Sequence, residues 1–404
     1  MQAPLEGVRV IEIDNWMAGP CAAALLADLG AEVIKIEPPG GDPMRNLSRP
    51  AKVDGPLADY DLQFDVDNRG KRSIVLALDQ PENVAVVHKL VERSHVFLCN
   101  LLVHRQQKFQ LDPDTLLGIN PALVHATITG YGTSGPDAWR PGYDVTAFFG
   151  RSGLYDAMRE GDDGDVPWAR PAQGDHTTGL ALTTAILAGL RQAEATGEGQ
   201  VVETSLYETA VWTQSSDYGV TVVDQAPVRR RARHEMLTPT ANRYRCGDNK
   251  WVVFNMLDAK AFDRLCRAIG KEDWLADERF ATGKGRYQNM RELVDGIDAA
   301  LSLRTRDEWG KIFDEAGMIW GPVLTLDETA RDPHAHEIGM FPEIEHPEIG
   351  PYRTVNAPFR FARSTVKPRG PAPTLGAHTE DVLREAGYSE DQVRALLGSG
   401  DGAD

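Results

Sequence analysis

The sequence lacks the features that mark membrane, exported and nucleic-acid-binding proteins. It has no run of about 18 apolar residues, and its first residues, MQAPLEGVRVIEI, lack the basic and apolar regions of a secretory signal. We therefore expect a protein that neither spans a membrane nor is exported. Its formal net charge of -17 at pH 7 repels phosphates over most of the surface, so nucleic acid is not an expected partner.

Cysteine is scarce, and its spacing is unlike that of a disulfide framework or a zinc finger. The chain has four cysteines, with no C-x-x-C pair: Cys21, Cys99, Cys246 and Cys266. This usage fits a reducing compartment, so we predict a cytoplasmic protein. The segment DPHAHE brings two histidines together but offers no third ligand nearby. We therefore predict no metal site and no prosthetic group.

Several catalytic signatures are also absent. There is no HExxH, GxSxG or P-loop motif, which argues against metalloproteases, α/β-hydrolases and P-loop NTPases. The segment GYGTSG (130–135) matches the dinucleotide pattern G-x-G-x-x-G, but Pro136 follows at once and no helix is predicted to open there. The pattern also lies outside the first βα turn, where dinucleotide fingerprints occur. We interpret it as a glycine-rich turn.

Apolar runs alternate with helical patterns along the first half of the chain. Strands are predicted at 8–13, 32–37, 73–78, 96–99, 123–128 and 200–206. Helices are predicted at 21–30, at 81–93, from about 176 to 195, and near 207–223. This alternation predicts an α/β fold with a Rossmann-like, mostly parallel sheet that helices cover on both faces.

The rest of the chain predicts a second, smaller domain. We predict 1–223 as the first part of a large domain, 224–237 as a linker, 238–330 as a small α+β domain, and 331–404 as a return linker with the last part of the large domain. The small domain starts with the hairpin pattern RYRCGDNKWVVFN, and the tail TEDVLREAGYSEDQVRALLG predicts two short helices. Both chain ends are therefore expected to build the large domain.

Two turns carry candidate functional residues. Gly19 and Pro20 stand just before a predicted helix, where free backbone N–H groups favour a phosphate, although many ordinary βα turns contain the same residues. Asp175 follows Gly174 and precedes another predicted helix. An aspartate in that position is commonly an N-cap, and the same position also lets a desolvated carboxylate attack an acyl thioester. The residues alone leave both interpretations open.

Taken together, these segments resemble the family III CoA-transferases. The resemblance extends over nearly the whole chain, in AGPCAAALLADLGAEVIKIEPP, NRGKRSIVLALD, GYGTSGP, GDHTTG, TGEGQVVETSLYE, FDEAGMIWGPVLTLDE and APTLGAHTEDVLREAGY. It implies an enzyme that moves coenzyme A from an acyl-CoA donor to a carboxylic acid acceptor. It also implies that Asp175 is the nucleophile, that an aspartyl-CoA thioester forms, and that two chains make an interlocked homodimer.

The resemblance further implies a set of residues that bind coenzyme A: Asn15, Trp16, Ala18, Lys71, Arg72, Leu76, Asn100 and Lys108. Lys108 stands where the family often has an arginine, so it supplies charge without bidentate geometry. Tyr131 and Tyr143 are candidates to line the acyl pocket or to pack as ordinary aromatics. The chain lacks the family's usual Asn-Phe-x-Pro-Gly after the fourth strand and a glycine-rich loop near HEMLTPTANRY, so the lid is left unpredicted.

Two alternatives share the fold. An α-methylacyl-CoA racemase needs two acid/base groups, one of them a histidine, and Tyr143 stands in that place here; a phenol is a poor base near neutral pH. A non-catalytic CoA-binding protein has no need of a carboxylate in a Gly-Asp turn, so the presence of Asp175 favours an enzyme. The donor and acceptor acids are not predicted.

Overall fold

The computed structural model describes residues 2–47 and 51–398. These residues fall into two compact units. The first combines stretches within Met1–Leu154, Trp168–Asp224 and His336–Asp404, and the second combines Tyr155–Pro167 and Gln225–Ala335. The domain boundaries at 223, 237 and 330 stay a prediction. In the described ranges, none of the helices has the length and apolar character needed to cross a lipid bilayer.

Strands and helices alternate in the first part of the chain, as predicted. The strands are β1 (Arg9–Ile13), β2 (Glu32–Glu37), β3 (Arg72–Val75), β4 (Val96–Cys99), β5 (Val124–Thr129), β6 (Gln200–Ser205), β7 (Ala241–Arg245), β8 (Trp251–Asn255), β9 (Trp320–Val323), β10 (Glu343–His346) and β11 (Gly350–Arg353). The α-helices are α1 (Ala18–Asp28), α2 (Leu62–Asn68), α3 (Pro81–Val91), α4 (Val103–Lys108), α5 (Pro113–Ile119), α6 (Leu154–Ala157), α7 (Gln173–Thr196), α8 (Leu206–Thr213), α9 (Ser215–Asp224), α10 (Ala261–Ala268), α11 (Gly283–Gln288), α12 (Met290–Leu301), α13 (Arg306–Glu315), α14 (Leu326–Ala330), α15 (Pro333–Glu337), α16 (Thr379–Glu385) and α17 (Glu390–Gly398). A π-helical segment, Val145–Arg151, precedes α6.

Within the described residues, six strands form one parallel sheet in the order β3-β2-β1-β4-β5-β6. The prediction of a parallel sheet is confirmed. These strands read as nearly continuous apolar runs because helices cover both faces, and every residue of β5 is buried. The strand order reverses between β1 and β4. Loops that follow these two strands therefore meet at a crevice outside the carboxyl edge of the sheet, which is where ligands bind in open α/β sheets.

Each face of the parallel sheet has its own apolar core. On one face, Ile11 and Phe97 pack in a cluster that includes Leu383 from α16. On the other face, Leu26 of α1 and Leu182 of α7 belong to a second cluster. Residues from both ends of the chain thus contribute to the core around this sheet.

Helices α1 and α7 cross at Gly179. A Cβ placed on Gly179 would lie 2.2 Å from Cys21 Sγ and 2.7 Å from the carbonyl oxygen of Ala18. Only a residue without a side chain permits this approach. Because both helices run from the carboxyl edge of the parallel sheet, the crossing holds their N-terminal turns close to the crevice.

Gly179→Ala is expected to lower the free energy of unfolding by about 1–3 kcal/mol, because the backbone of Ala18 cannot retreat as a flexible side chain can. Adding Cys21→Ala should restore only part of the loss, since the contact with the Ala18 oxygen remains. Urea unfolding measures both variants. The control is Gly118→Ala in α5, where a Cβ meets nothing within 4 Å. Equal effects at Gly118 and Gly179 would rule out the close crossing.

The second unit has its own core beside an antiparallel sheet of β7, β8 and β9. The β7–β8 hairpin is the one predicted from the sequence. Tyr244, Phe254 and Phe313 pack together in the core of this unit. Strand β9 was not predicted, because Gly321 and Pro322 interrupt its apolar pattern and are uncommon inside strands.

Candidate active site

The loops after β1 and β4 are tied to each other at the carboxyl edge of the parallel sheet. The backbone N–H of Asn15 donates to Asn100 Oδ1 at 3.3 Å, and the Asn100 side-chain amide donates to the Asn15 carbonyl at 2.6 Å. This reciprocal pair lies where the strand order reverses. The structure therefore brings together two of the residues predicted to bind coenzyme A.

A buried ion network lies beneath the loop that follows β1. Lys35 Nζ contacts Glu12 Oε1 at 3.1 Å and Asp42 Oδ2 at 3.0 Å, and it donates to the Asp14 carbonyl at 2.8 Å. Burial lowers the pKa of Lys35, but Glu12 and Asp42 outweigh burial and hold this pKa above its ordinary value. Lys71 Nζ lies 2.8 Å from Glu12 Oε2, and its side chain is fully buried. Lys71 thus neutralises Glu12 inside the protein, and its predicted role in binding CoA stays a prediction.

Trp16 is held in an unusual backbone conformation in the same loop. Its φ is 71°, a region that non-glycine residues rarely occupy. Its backbone N–H donates to Asp42 Oδ1 at 3.1 Å, and its ring lies edge-on to Tyr143 with centroids 5.3 Å apart. Ala18 begins α1 directly after this loop. The buried network therefore fixes the backbone that leads into α1.

The carboxyl group of Asp14 packs against the start of α1. A Cβ on Gly19 would lie 2.3 Å from Asp14 Cγ, which explains the glycine. Neither carboxylate oxygen of Asp14 has a hydrogen-bond partner among the described residues. Burial, and next the charge of Glu12, raise the pKa of Asp14 well above its ordinary value. The raised pKa favours the neutral form of Asp14, which does not repel an anion. A phosphate at this turn stays a prediction.

Asp175 lies in the first turn of α7, which begins at Gln173. The N-cap is Ala172, with φ of 82°, and Asp175 lies three residues further along the chain, inside the helix. The N-cap interpretation of Asp175 is therefore wrong. Burial raises the pKa of Asp175 to about 7, with Asp144 and then Asp67 acting in the same direction and His176 against it. A carboxyl group with this pKa exchanges its proton near neutral pH.

Asp144 is a buried carboxyl group next to the first turn of α7. Burial raises its pKa, while hydrogen bonds with the backbone of Val145, Ala172 and Gly174 act against burial. A Cβ on Gly174 would lie 2.8 Å from Asp144 Cβ, so glycine is required for this contact. Sequence reasoning placed Asp144 only as the neighbour of Tyr143. No signal in the local sequence shows that Asp144 approaches the turn that contains Gly174 and Asp175.

The imidazole of His176 is hydrogen-bonded to a carboxylate on another helix. Its Nε2 lies 3.0 Å from Asp67 Oδ1 of α2. Burial lowers the pKa of His176, but the hydrogen bond and the charge of Asp67 outweigh burial and raise it above its ordinary value. Asp67 therefore favours the positively charged form of His176, which lies next to Asp175. Sequence reasoning gave Asp67 no role.

The remaining residues predicted to bind coenzyme A are spread along the sheet. Arg72 begins β3 at the amino edge, pairs with Glu32 at 2.7 Å and Glu385 at 2.8 Å, and lines a cavity of about 770 Å³. Leu76 is buried just after β3, and Lys108 is exposed at the end of α4. The structure does not bring Arg72 to the carboxyl edge with Asn15. The roles of these three residues stay predictions.

The two candidate tyrosines have different surroundings. Arg140 and Arg151 each place a guanidinium 5.3 Å from the centroid of the Tyr131 ring. Tyr143 is 53% exposed and touches Trp16 with its ring edge. In the described residues, no helix follows the GYGTSG turn before the π-helical segment, as predicted. Tyr143 therefore lies beside the loop after β1, and a role in the acyl pocket stays a prediction for both tyrosines.

Comparison with known proteins identifies the family. A family model for CoA-transferase family III matches residues 5–379. The chain belongs to CoA-transferase family III. A similar protein is the (R)-2-hydroxy-4-methylpentanoate CoA-transferase of Clostridioides difficile, 30% identical over 392 residues, which cover 96% of this chain and 97% of that protein. Another is the cinnamoyl-CoA:phenyllactate CoA-transferase of Clostridium sporogenes, 31% identical over 405 residues, which cover 96% and 95%.

A solved structure agrees with this assignment. The crystal structure of a CAIB/BAIF family protein from Brucella suis matches with a TM-score of 0.84 at 26% identity and covers 96% of this chain and 100% of that one. The recognition of family III from sequence is confirmed, and so is the prediction of an enzyme that transfers CoA. As a family III CoA-transferase, the protein acts on an acyl-CoA and a carboxylic acid.

Proposed function

We propose that this CoA-transferase works through a covalent thioester between Asp175 and coenzyme A. The observation that carries the proposal is the position of Asp175, which lies in the first turn of α7 with its pKa raised to about 7 by burial. A carboxylate removed from water is a stronger nucleophile than a hydrated one. The same exclusion of water protects the intermediates from hydrolysis.

Transfer proceeds in four steps. The Asp175 carboxylate attacks the carbonyl carbon of the donor acyl-CoA and expels the CoA thiolate, which gives a mixed anhydride. The thiolate attacks the carbonyl of Asp175, releases the donor acid as a carboxylate and forms the aspartyl-CoA thioester. The acceptor carboxylate attacks this thioester and expels the thiolate, which gives a second anhydride. The thiolate then attacks the acceptor carbonyl, which yields the new acyl-CoA and restores the Asp175 carboxylate.

The neighbouring charges favour the acylated forms of Asp175. The free carboxylate is repelled by Asp144 and Asp67, and it loses solvation through burial. Acylation removes the negative charge and with it both penalties. His176, held by Asp67, acts in the opposite direction and keeps part of the Asp175 population ionised near neutral pH. The two effects together suit a group that alternates between nucleophile and acyl carrier.

We also propose that coenzyme A lies in the crevice beside the Asn15–Asn100 pair and that two chains form an interlocked homodimer. Exposed apolar side chains on α9 support the dimer, since Val220, Val222 and Val223 are 61%, 67% and 81% exposed. Monomers rarely leave such a patch in water. Sedimentation of the full chain is expected to give a dimer, and a monomer at all concentrations would exclude this part of the proposal.

The rate of transfer is expected to rise with pH through about 7, as Asp175 loses its proton. Asp144→Asn removes the second-largest cause of the raised pKa of Asp175. The pH at which the rate rises should therefore move down by about 0.5–1 unit, while burial keeps the pKa of Asp175 above the ordinary carboxyl range. Profiles of kcat/KM against pH measure the shift. The control is Asp137→Asn, which changes a partly exposed acid that pairs with Arg151. If the rate rose at the same pH in Asp144→Asn and Asp137→Asn, an effect of Asp144 on the pKa of Asp175 would be refuted.

An acceptor acid labelled with ¹⁸O in its carboxylate tests the path of the oxygen atoms. The bridging oxygen of the second anhydride comes from the acceptor and stays on Asp175 when the thiolate attacks the acceptor carbonyl. After a single turnover in unlabelled water, the peptide that contains Asp175 should therefore gain the mass of one ¹⁸O-for-¹⁶O exchange. Label that appears in the released donor acid while this peptide stays unlabelled would show that the two acids react with each other directly.

A further inference from the structure

Three side chains of the types that bind zinc meet where α1, α2 and α7 come together. Cys21 Sγ, a carboxylate oxygen of Asp67 and a ring nitrogen of His176 all lie within 4.8 Å of one another. Each side chain comes from a different helix, so the cluster does not arise from one local motif. The transfer steps proposed above make no use of Cys21.

The distances within this trio are close to those of a tetrahedral zinc site. With Zn–N and Zn–O bonds near 2.0–2.1 Å and Zn–S near 2.3 Å, ligand atoms stand roughly 3.3–3.7 Å apart. His176 Nε2 and Asp67 Oδ1 are 3.0 Å apart. Closing all three atoms onto one ion therefore needs displacements of only about 1 Å.

Packing holds the trio in place and leaves one side open. Cys21 Sγ occupies the space that a Cβ on Gly179 would take, and it lies 4.0 Å from the carbonyl oxygen of His176. The side chain of Asp67 is 4% exposed, whereas that of His176 is 46% exposed. A metal ion would thus reach the site from the exposed side, next to His176, and would bind the buried side chains of Cys21 and Asp67.

The three side chains line one cavity of about 420 Å³, which has room for a water molecule as a fourth ligand. The other lining residues are mainly apolar, among them Ala24, Leu25, Val66, Leu180, Met340, Val355 and Pro358. Apolar surroundings strengthen the attraction between a cation and its ligands.

The charges around the cavity balance those of a divalent cation. Arg69 also lines the cavity, but its guanidinium contacts both carboxylate oxygens of Asp28, at 3.2 and 2.6 Å. Metal binding releases the proton of a cysteine thiol, so Cys21 as a thiolate and the Asp67 carboxylate supply two negative charges against Zn²⁺.

We infer that Cys21, Asp67 and His176 form a Zn²⁺ site with one open position, and that zinc bound there inhibits transfer. The ion replaces the proton between His176 and Asp67, and closing the ligands onto it displaces His176, which adjoins Asp175 in the first turn of α7. A nucleophile displaced by about 1 Å from its working position reacts much more slowly. Metal binding does not depend on the proposed mechanism, whereas the inhibition rests on it.

Cobalt is the spectroscopic probe for this site. Titration of Co²⁺ into the full-length protein is expected to produce a thiolate-to-cobalt charge-transfer band and the visible bands of tetrahedral cobalt, which Zn²⁺ then bleaches. Cys21→Ser should remove the charge-transfer band, and His176→Asn should weaken binding by about 10-fold or more. Cys266→Ser, which alters a buried cysteine of the other unit, is the matched control and should keep the band.

The possible outcomes separate binding from regulation. A missing band in the parent protein, or a band that survives in Cys21→Ser, would overturn the site. Inhibition of transfer by Zn²⁺ that EDTA reverses and that Cys21→Ser abolishes would support the regulatory role. Cobalt binding at Cys21 without inhibition by zinc would overturn that role alone, and the cobalt result does not depend on whether an adduct forms on Asp175.

Discussion

Replacing Asp175 with asparagine is expected to lower kcat by about 1,000-fold or more, because an amide cannot form the anhydride or the thioester. Binding of coenzyme A should persist, since the residues predicted to contact CoA lie on other elements. Steady-state kinetics and calorimetric titration with CoA measure the two properties. Asp114→Asn changes an exposed acid in the first turn of α5 and should leave transfer intact. An Asp175→Asn enzyme with a normal rate would exclude this residue as the nucleophile.

The same substitution is expected to stabilise the fold at alkaline pH. Burial raises the pKa of Asp175 from near 4 to about 7, so the folded protein favours the protonated group. Between these values the unfolded chain is ionised and the folded chain is not, and the stability of the parent protein falls as pH rises. Above pH 7 the full loss, on the order of 2–4 kcal/mol, is present in the parent and absent in Asp175→Asn.

Urea unfolding at several pH values measures this effect. The difference in free energy of unfolding between Asp175→Asn and the parent should be small near pH 4 and should level off above pH 7. A difference that decreased with rising pH would mean that the folded state favours the ionised carboxylate. Such a result would contradict a desolvated Asp175.

Lys35→Met is expected to cause the largest loss of stability, about 3–5 kcal/mol, because it leaves buried carboxylates without their cation. Lys35 contacts Glu12 and Asp42, and its side chain is fully buried. It also donates to the Asp14 carbonyl, so its removal should displace the loop that carries Trp16 and weaken CoA binding. Urea unfolding and CoA titration of the variant measure these losses.

A second change tests the electrostatic origin of this loss. Adding Asp42→Asn to Lys35→Met should recover part of the stability, because Asp42 pairs with Lys35 and one unpaired buried charge disappears. Lys311→Met removes an exposed lysine from α13 and serves as the control. If Lys35→Met and Lys311→Met lowered stability equally, the buried ion network would not contribute to the stability of the fold.

The parallel sheet was predictable because its strands are buried on both faces. EVIKIE and VFLC coincide with β2 and β4, since polar turns on both sides of a short apolar run mark where the strand begins and ends. Strands β9, β10 and β11 escaped prediction because glycine, proline and charged residues break their patterns. The start of α7 was placed three residues late, since the left-handed Ala172 has no sequence signature.

The candidate site divides in the same way. Asp175, Asn15 and Asn100 were named through the family resemblance, whose motifs lie in continuous segments, but the hydrogen bonds between Asn15 and Asn100 were not predicted. Asp67 and Asp144 were not assigned a role, because only tertiary packing brings them near α7. The partners of Lys35 were hidden for the same reason. Electrostatics that depend on contacts between distant segments cannot be read from local patterns.

Mass spectrometry of the protein during turnover tests the central claim most directly. After incubation with an acyl-CoA and quenching in acid, the peptide that contains Asp175 is predicted to gain the mass of coenzyme A less one water. Hydroxylamine should remove this adduct, and Asp175→Asn should lack it. If no adduct formed with any acyl-CoA that supports turnover, and the α-proton of the acyl group exchanged with deuterated water instead, the account would be contradicted in favour of racemase chemistry.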